Sequence, residues 1–93
     1  MSEIMISTIV RSLSGRDRGR LFVVTDREPG YVFLADGRTR RVERPKKKKF
    51  KHVEVFPCGA SRTGEKILNG EKVTNSEIRR MLQEMTEGSE TES

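Results

Sequence analysis

The stretch from Val10 to Val24, VRSLSGRDRGRLFVV, constrains this chain more than any other. Two short apolar runs flank a charged loop in which Gly15 and Gly19 bracket Arg16, Asp17 and Arg18, and Arg20 follows at once. β-Branched residues on both sides suit strands, and the glycines supply the positive φ that a tight connection needs. The segment reads as strand, charged loop, strand. Leu21 to Val24 is too continuously apolar for a strand with one wet face, so it is expected at the centre of the core. The loop carries three guanidinium groups on a backbone that glycine leaves bare. A phosphate can approach such a backbone closely and meet planar forks of donors.

The rest of the chain extends this pattern. Residues 1–5 read as a loose lead-in, and a first strand is expected from Ile6 to Ser14 and a second from Arg20 to Thr25. Asp26 to Gly30 then forms a turn, with Pro29 and Gly30 in type II order. Tyr31 to Ala35 is the third strand, Asp36-Gly37 a type I′ hairpin turn, and Thr39 to Glu43 the fourth strand, stopped by Pro45. Val53 and Val55, alternating with Glu54, supply a fifth, closing strand. Short strands joined by tight turns with no helix between them fit a mainly β fold, a small SH3-like barrel of four to five strands over residues 1–56.

Residues 57–73, rich in small and polar side chains, read as a linker or loop, with Asn69-Gly70 as a further candidate hairpin turn. Thr74 and Glu77 have capping-box spacing ahead of Ile78, Met81, Leu82 and Met85, which predicts a C-terminal helix over 74–87. Gly88 is expected to end it, leaving 88–93 as a disordered acidic tail.

Charge is unevenly spread. The 93 residues carry a net charge of +5, yet residues 1–53 hold 14 basic and 6 acidic side chains, whereas residues 54–93 hold 5 and 8. Beyond the first loop, Arg38, Arg40, Arg41, Arg44, Lys46, Lys47, Lys48, Lys49 and Lys51 fall within fourteen residues that contain one acid, Glu43. Like charges so crowded repel one another, and a polyanion with condensed counterions relieves the repulsion. The candidate nucleic-acid contacts are these nine residues together with Gly15, Arg16, Arg18, Gly19 and Arg20. RNA is favoured over DNA because short strands offer no recognition helix for a major groove. Of the aromatic residues, Phe22 and Phe33 are expected in the core, and Tyr31 and Phe50 are the candidates for stacking on bases.

The loop and its flanks resemble the KOW motif, a strand-loop-strand unit of several ribosomal proteins and of NusG-type transcription elongation factors. Val10, Gly15, Asp17, Gly19, Arg20, Val23 and Val24 carry the likeness. Many such loops have a third glycine where this chain has Phe22. Together with the continuation YVFLADGRTRRVERPKKKK, that departure resembles the branch of large-subunit ribosomal protein fourteen of archaea and eukaryotes. The resemblance covers roughly residues 8 to 53 and implies an SH3-like barrel that binds RNA.

Other chemistries find little support in the sequence. Cys58 has no second cysteine for a disulfide, and His52 cannot complete a zinc site with it, so neither a metal nor a cofactor is expected. No nucleophile elbow or phosphate-binding loop of the Lys-Ser/Thr type occurs, and the chain is not expected to be an enzyme. The longest strictly apolar run, Leu21 to Val24, is far too short to cross a membrane, and the first ten residues lack a basic leader. The expectation is a cytoplasmic RNA-binding protein, associated with the ribosome or part of translation, with ribosomal RNA as partner and a ribosomal or translation protein as a further candidate partner through the C-terminal helix. The alternative is a protein-interaction module of the transcription or translation machinery.

Overall fold

A computed structural model describes residues 4–56 and 61–91. Five strands, β1 (Ile9–Ser12), β2 (Leu21–Glu28), β3 (Tyr31–Ala35), β4 (Lys46–Lys49) and β5 (Val53–Val55), form one antiparallel sheet in the order β4-β3-β2-β1-β5. A 3₁₀ turn, Phe50–His52, connects β4 to β5, and two helices follow, α1 (Arg62–Leu68) and α2 (Asn75–Thr91).

Side-chain alternation assigns the core to both faces of this sheet. Val10 pairs with Phe22 and Val24 with Leu34, and all four belong to one cluster with Ile4, Val32 and Val53. Ile9 pairs with Val23 and Val23 with Ala35, and these three belong to a second cluster with Ile67 of α1 and Ile78 and Met81 of α2. The continuous apolar run of β2 is thus explained: alternate residues face different clusters, and Phe22, Val23 and Val24 are all fully buried. Ile4 is buried too, and its carbonyl accepts a 2.9 Å hydrogen bond from Arg27, so the lead-in is anchored from that residue onward.

Several expected elements are found where the residues put them. β3 has the expected bounds, and Pro29-Gly30 joins β2 to β3 with Gly30 at φ 82°, the conformation that the second central position of a type II turn requires. Thr74 and Glu77 form the reciprocal capping box: the Glu77 amide donates to the Thr74 hydroxyl at 3.1 Å, and the Thr74 amide to the Glu77 carboxylate at 2.9 Å.

Other expectations are corrected. Residues 39–43 form no strand; the fourth strand is the lysine run Lys46–Lys49, immediately after Pro45. Asp36-Gly37 is not a type I′ turn, because only Gly37 has positive φ. Instead the Asp36 carboxylate gathers the loop, accepting from the amides of Arg38 and Arg40 at 2.9 and 2.8 Å and from the Thr39 hydroxyl at 2.9 Å. β2 runs on to Glu28, through residues expected in a turn, past an irregularity between Val24 and Asp26.

The expected linker contains α1, capped at its start by Ser61, whose hydroxyl accepts from the Gly64 amide at 3.0 Å. Asn69-Gly70 closes that helix rather than turning a hairpin. The Glu71 amide donates to the Lys66 carbonyl at 2.8 Å and the Gly70 amide to the Ile67 carbonyl at 3.1 Å, a Schellman arrangement with Gly70 at φ 78°. Helix α2 continues past Gly88 to Thr91. The first part of that linker, 57–60, and the end of the tail at 92–93 lie outside the described residues.

The apolar stripe of α2 docks on the sheet, which leaves a measurable signature. Ile78→Ala empties a fully buried position and should cost about 2–5 kcal/mol, whereas Leu68→Ala, at a position 55% exposed, should stay within about 0.5 kcal/mol. Urea unfolding of the two variants checks the difference.

Candidate nucleic-acid interface

The charged loop is built around its one acid. Gly15 and Gly19, at φ 84° and 88°, turn the backbone so that Asp17 points inward and is buried while Arg16, Arg18 and Arg20 remain exposed. The Asp17 carboxylate accepts hydrogen bonds from Ser12 Oγ at 2.7 Å, Lys48 Nζ at 2.8 Å and Lys46 Nζ at 2.9 Å. Burial alone would raise its pKa, but the hydrogen bonds from Lys48, Lys46 and Ser12 outweigh it and hold the carboxyl well below the usual carboxylate range.

Lysine alternation along β4 explains how this pair reaches inside. Lys46 and Lys48 pair with Leu34 and Val32, both buried, and so share their face; Lys47 and Lys49 pair with Phe33 and Tyr31 on the other. The inward lysines lay their stems along apolar neighbours and extend their ammonium groups to the loop. Lys48, only 7% exposed, directs its three protons at Ser12 Oγ, the Ser14 carbonyl and Asp17, each at 2.8 Å. On the outer face Lys47 pairs with Glu28 at 2.7 Å and lies 4.5 Å from the Tyr31 ring centroid. The lysine run is therefore an edge strand with specific partners, not a uniform charged block.

The second basic loop is stapled to α2. Asn75 Oδ1 accepts from the Val42 amide at 2.7 Å and its Nδ2 donates to Glu43 at 3.0 Å. Arg79 donates to the Gly37 carbonyl at 2.6 Å. A Cβ at Gly37 would run into the Asn75 carbonyl oxygen, so the absence of a side chain is what allows loop and helix to pack.

These two supports bring the arginines together around Arg20. A concavity of about 170 Å³ on one side of it is lined by Arg16, Asp17, Arg40 and Lys46 with Phe22 and Thr39. A second, larger concavity of about 730 Å³ takes in Arg11, Gly19, Arg38 and Arg79. Arg20 lines both and also donates to Thr39 Oγ1 at 3.3 Å. Both hollows are rich in guanidinium donors, and each also has an aspartate in its lining, Asp17 in the smaller and Asp36 in the larger.

Of the residues singled out by sequence, Gly19, Arg20 and Arg38 line the larger hollow and Arg16, Arg20, Arg40 and Lys46 the smaller. Arg18, Arg44, Lys49 and Lys51 are exposed but line neither, and Arg41 is exposed with a 3.6 Å contact to Glu43. Gly15 shapes the loop, and Lys48 is enclosed by it. Tyr31 and Phe50 each carry a cation over the ring, Lys47 and Arg27 respectively.

Sequence reasoning missed Arg11 and Arg79 and set Phe56 aside in favour of Tyr31 and Phe50, yet all three line the larger hollow. Arg79 was legible as a polar position beside the apolar stripe of α2; nothing local connects it to a loop forty residues earlier. No protein-family model and no curated protein matches the chain.

Among the described residues no group of His, Cys, Asp and Glu is placed to hold a metal ion, and no helix is long and apolar enough to cross a membrane.

The ion cluster makes stability depend on acid. A carboxyl with a depressed pKa contributes stability that is present above its unfolded pKa and is lost as pH falls below it. Asp17→Asn leaves Lys48 buried without its counter-charge and should cost about 3–5 kcal/mol at pH 7. The variant's deficit should begin to shrink as pH falls below about 4, because the parent's unfolded chain then takes up a proton at this carboxyl while the folded parent still holds it ionised. Chemical unfolding of both proteins between pH 7 and pH 3 measures it.

Proposed function

We propose that the protein binds RNA through the arginines gathered around Arg20, and that it does so in association with the ribosome, with ribosomal RNA as the partner. The observation that carries this reading is the shared position of Arg20 between two arginine-lined hollows, which gives a phosphate chain consecutive sites to occupy. Arginine forks suit phosphate oxygens, and neutralising phosphates supplies a large share of the binding energy of such interfaces. Exposed Arg18, Lys49 and Lys51 widen the positive field that steers RNA to them.

The fold we assign in finer detail is an SH3-like barrel of the KOW type. Supporting it are the pairing of β1 with both β2 and β5 and the 3₁₀ turn between β4 and β5. In this reading the cytoplasm is the compartment, since RNA engaged in translation is found there.

Salt titration of labelled RNA binding tests the proposal. If about five phosphates are neutralised, the log-log slope should lie near −3.5 to −4.5. Arg16→Gln, Arg20→Gln and Arg40→Gln together should flatten it by about 0.7–0.9 for each phosphate no longer neutralised, whereas Lys47→Gln, paired with Glu28, should change it little. Gly19→Val strains a position at φ 88° by about 1–3 kcal/mol but meets no neighbouring atom, so it should weaken binding with the slope unchanged. A slope near zero, or an unaltered slope in the triple variant, overturns the proposal, and a flat response to salt would favour the protein-interaction module instead.

A further inference from the structure

The larger hollow has features that a phosphate track does not need. Leu21, Phe56 and Leu82 contribute to its lining, so apolar surface is set among its guanidinium groups. Arg11 is ion-paired with Glu54 at 3.1 Å, and its guanidinium carbon lies 5.5 Å from the Phe56 ring centroid. With its charge matched by Glu54, what Arg11 adds to the hollow is chiefly a flat guanidinium plane backed by the Phe56 ring over which it lies. Nucleobases stack on both kinds of plane.

We infer that this hollow receives one unpaired base of single-stranded RNA while Arg20 holds the adjoining phosphate, an inference that rests on the RNA-binding reading above. Size supports the division. At about 730 Å³ the larger hollow falls within the range of roughly 300–1,000 Å³ typical of clefts for small organic ligands, and at about 170 Å³ the smaller falls below it. A strand crossing Arg20 therefore leaves a nucleoside on the larger side and backbone phosphate on the smaller.

Asp36 fits the same assignment. The carboxylate keeps its charge, which the nearby Arg20 offsets, and it already accepts from the amides of Arg38 and Arg40 and the Thr39 hydroxyl. A carboxylate has about four lone-pair sites, which leaves capacity for an exocyclic amino group of a base. A duplex keeps its bases stacked inside and presents mainly phosphates and sugars, so it would leave the apolar lining uncovered.

The test compares three labelled probes of equal phosphate number on the unaltered protein at one salt concentration. They are a single-stranded RNA about 12 nucleotides long, an RNA duplex, and an abasic ribose-phosphate oligomer. Single-stranded RNA should bind about 5- to 100-fold more tightly than the other two. Phe56→Ala should lower single-strand affinity to the abasic level while leaving abasic binding and the salt slope as they were. Equal or tighter binding of duplex or abasic probe overturns the base site and leaves the RNA-binding reading standing. Failure of all three probes to bind overturns both. The probe comparison does not depend on any variant, so a Phe56→Ala protein that fails to fold does not remove the test.

Discussion

The carboxylate of Asp17 is the interaction on which the basic surface depends. It is one acid set among arginines, turned inward by two glycines, and met by two lysines from across the sheet and by Ser12 at the end of β1. Because it occupies the inside of the loop, the neighbouring arginines have only the outside. The same contact ties β4 to the β1-β2 connection, across strands that are not neighbours in the sheet. Buried ion pairs add little to stability relative to apolar packing of the same volume, but losing one partner is expensive. The cluster therefore fixes a shape, at a strength that any single substitution within it reveals.

A second constraint is the burial of both faces of β2. Packing Phe22 and Val24 on one side and Val23 on the other requires a cover for each, and the helices supply the second. Once α2 is docked through Ile78 and Met81, its first turn lies against the Asp36 loop, where Asn75 and Arg79 take hold of backbone groups. The C-terminal helix thus acts at the surface through the core: docked by Ile78 and Met81, it helps to set where the loop bearing Arg38 and Arg40 stands.

What the sequence made legible was local. Tyr31 to Ala35 alternates cleanly, Pro29-Gly30 has one favourable turn, and Thr74 with Glu77 writes a helix start in four residues. What it concealed came from distance. Lysine has poor strand propensity, and Lys46–Lys49 is a strand because β3 offers it pairing and Asp17, about thirty residues earlier, receives its inward ammonium groups. The stretch at 39–43 has better strand formers, yet the Asp36 carboxylate takes up the amides of Arg38 and Arg40 that a ladder would need. Helix α1 has one buried aliphatic residue, Ile67, and is delimited by its caps rather than by a periodic stripe. For the candidate interface, the arginines of the two loops could be read from the chain, but their meeting at Arg20 and the addition of Arg11, Arg79 and Phe56 could not.

The lysine strand has one more consequence. β4 is the last strand on its side of the sheet, so one row of its backbone donors and acceptors has no strand beside it. Such an edge invites pairing with another copy of the chain. Here Pro45 precedes it and Lys47 and Lys49 project from it, so a second strand drawn alongside would bring like charges together. The residues that clamp the loop from within and those whose charges disfavour an added strand from without alternate along the same four positions.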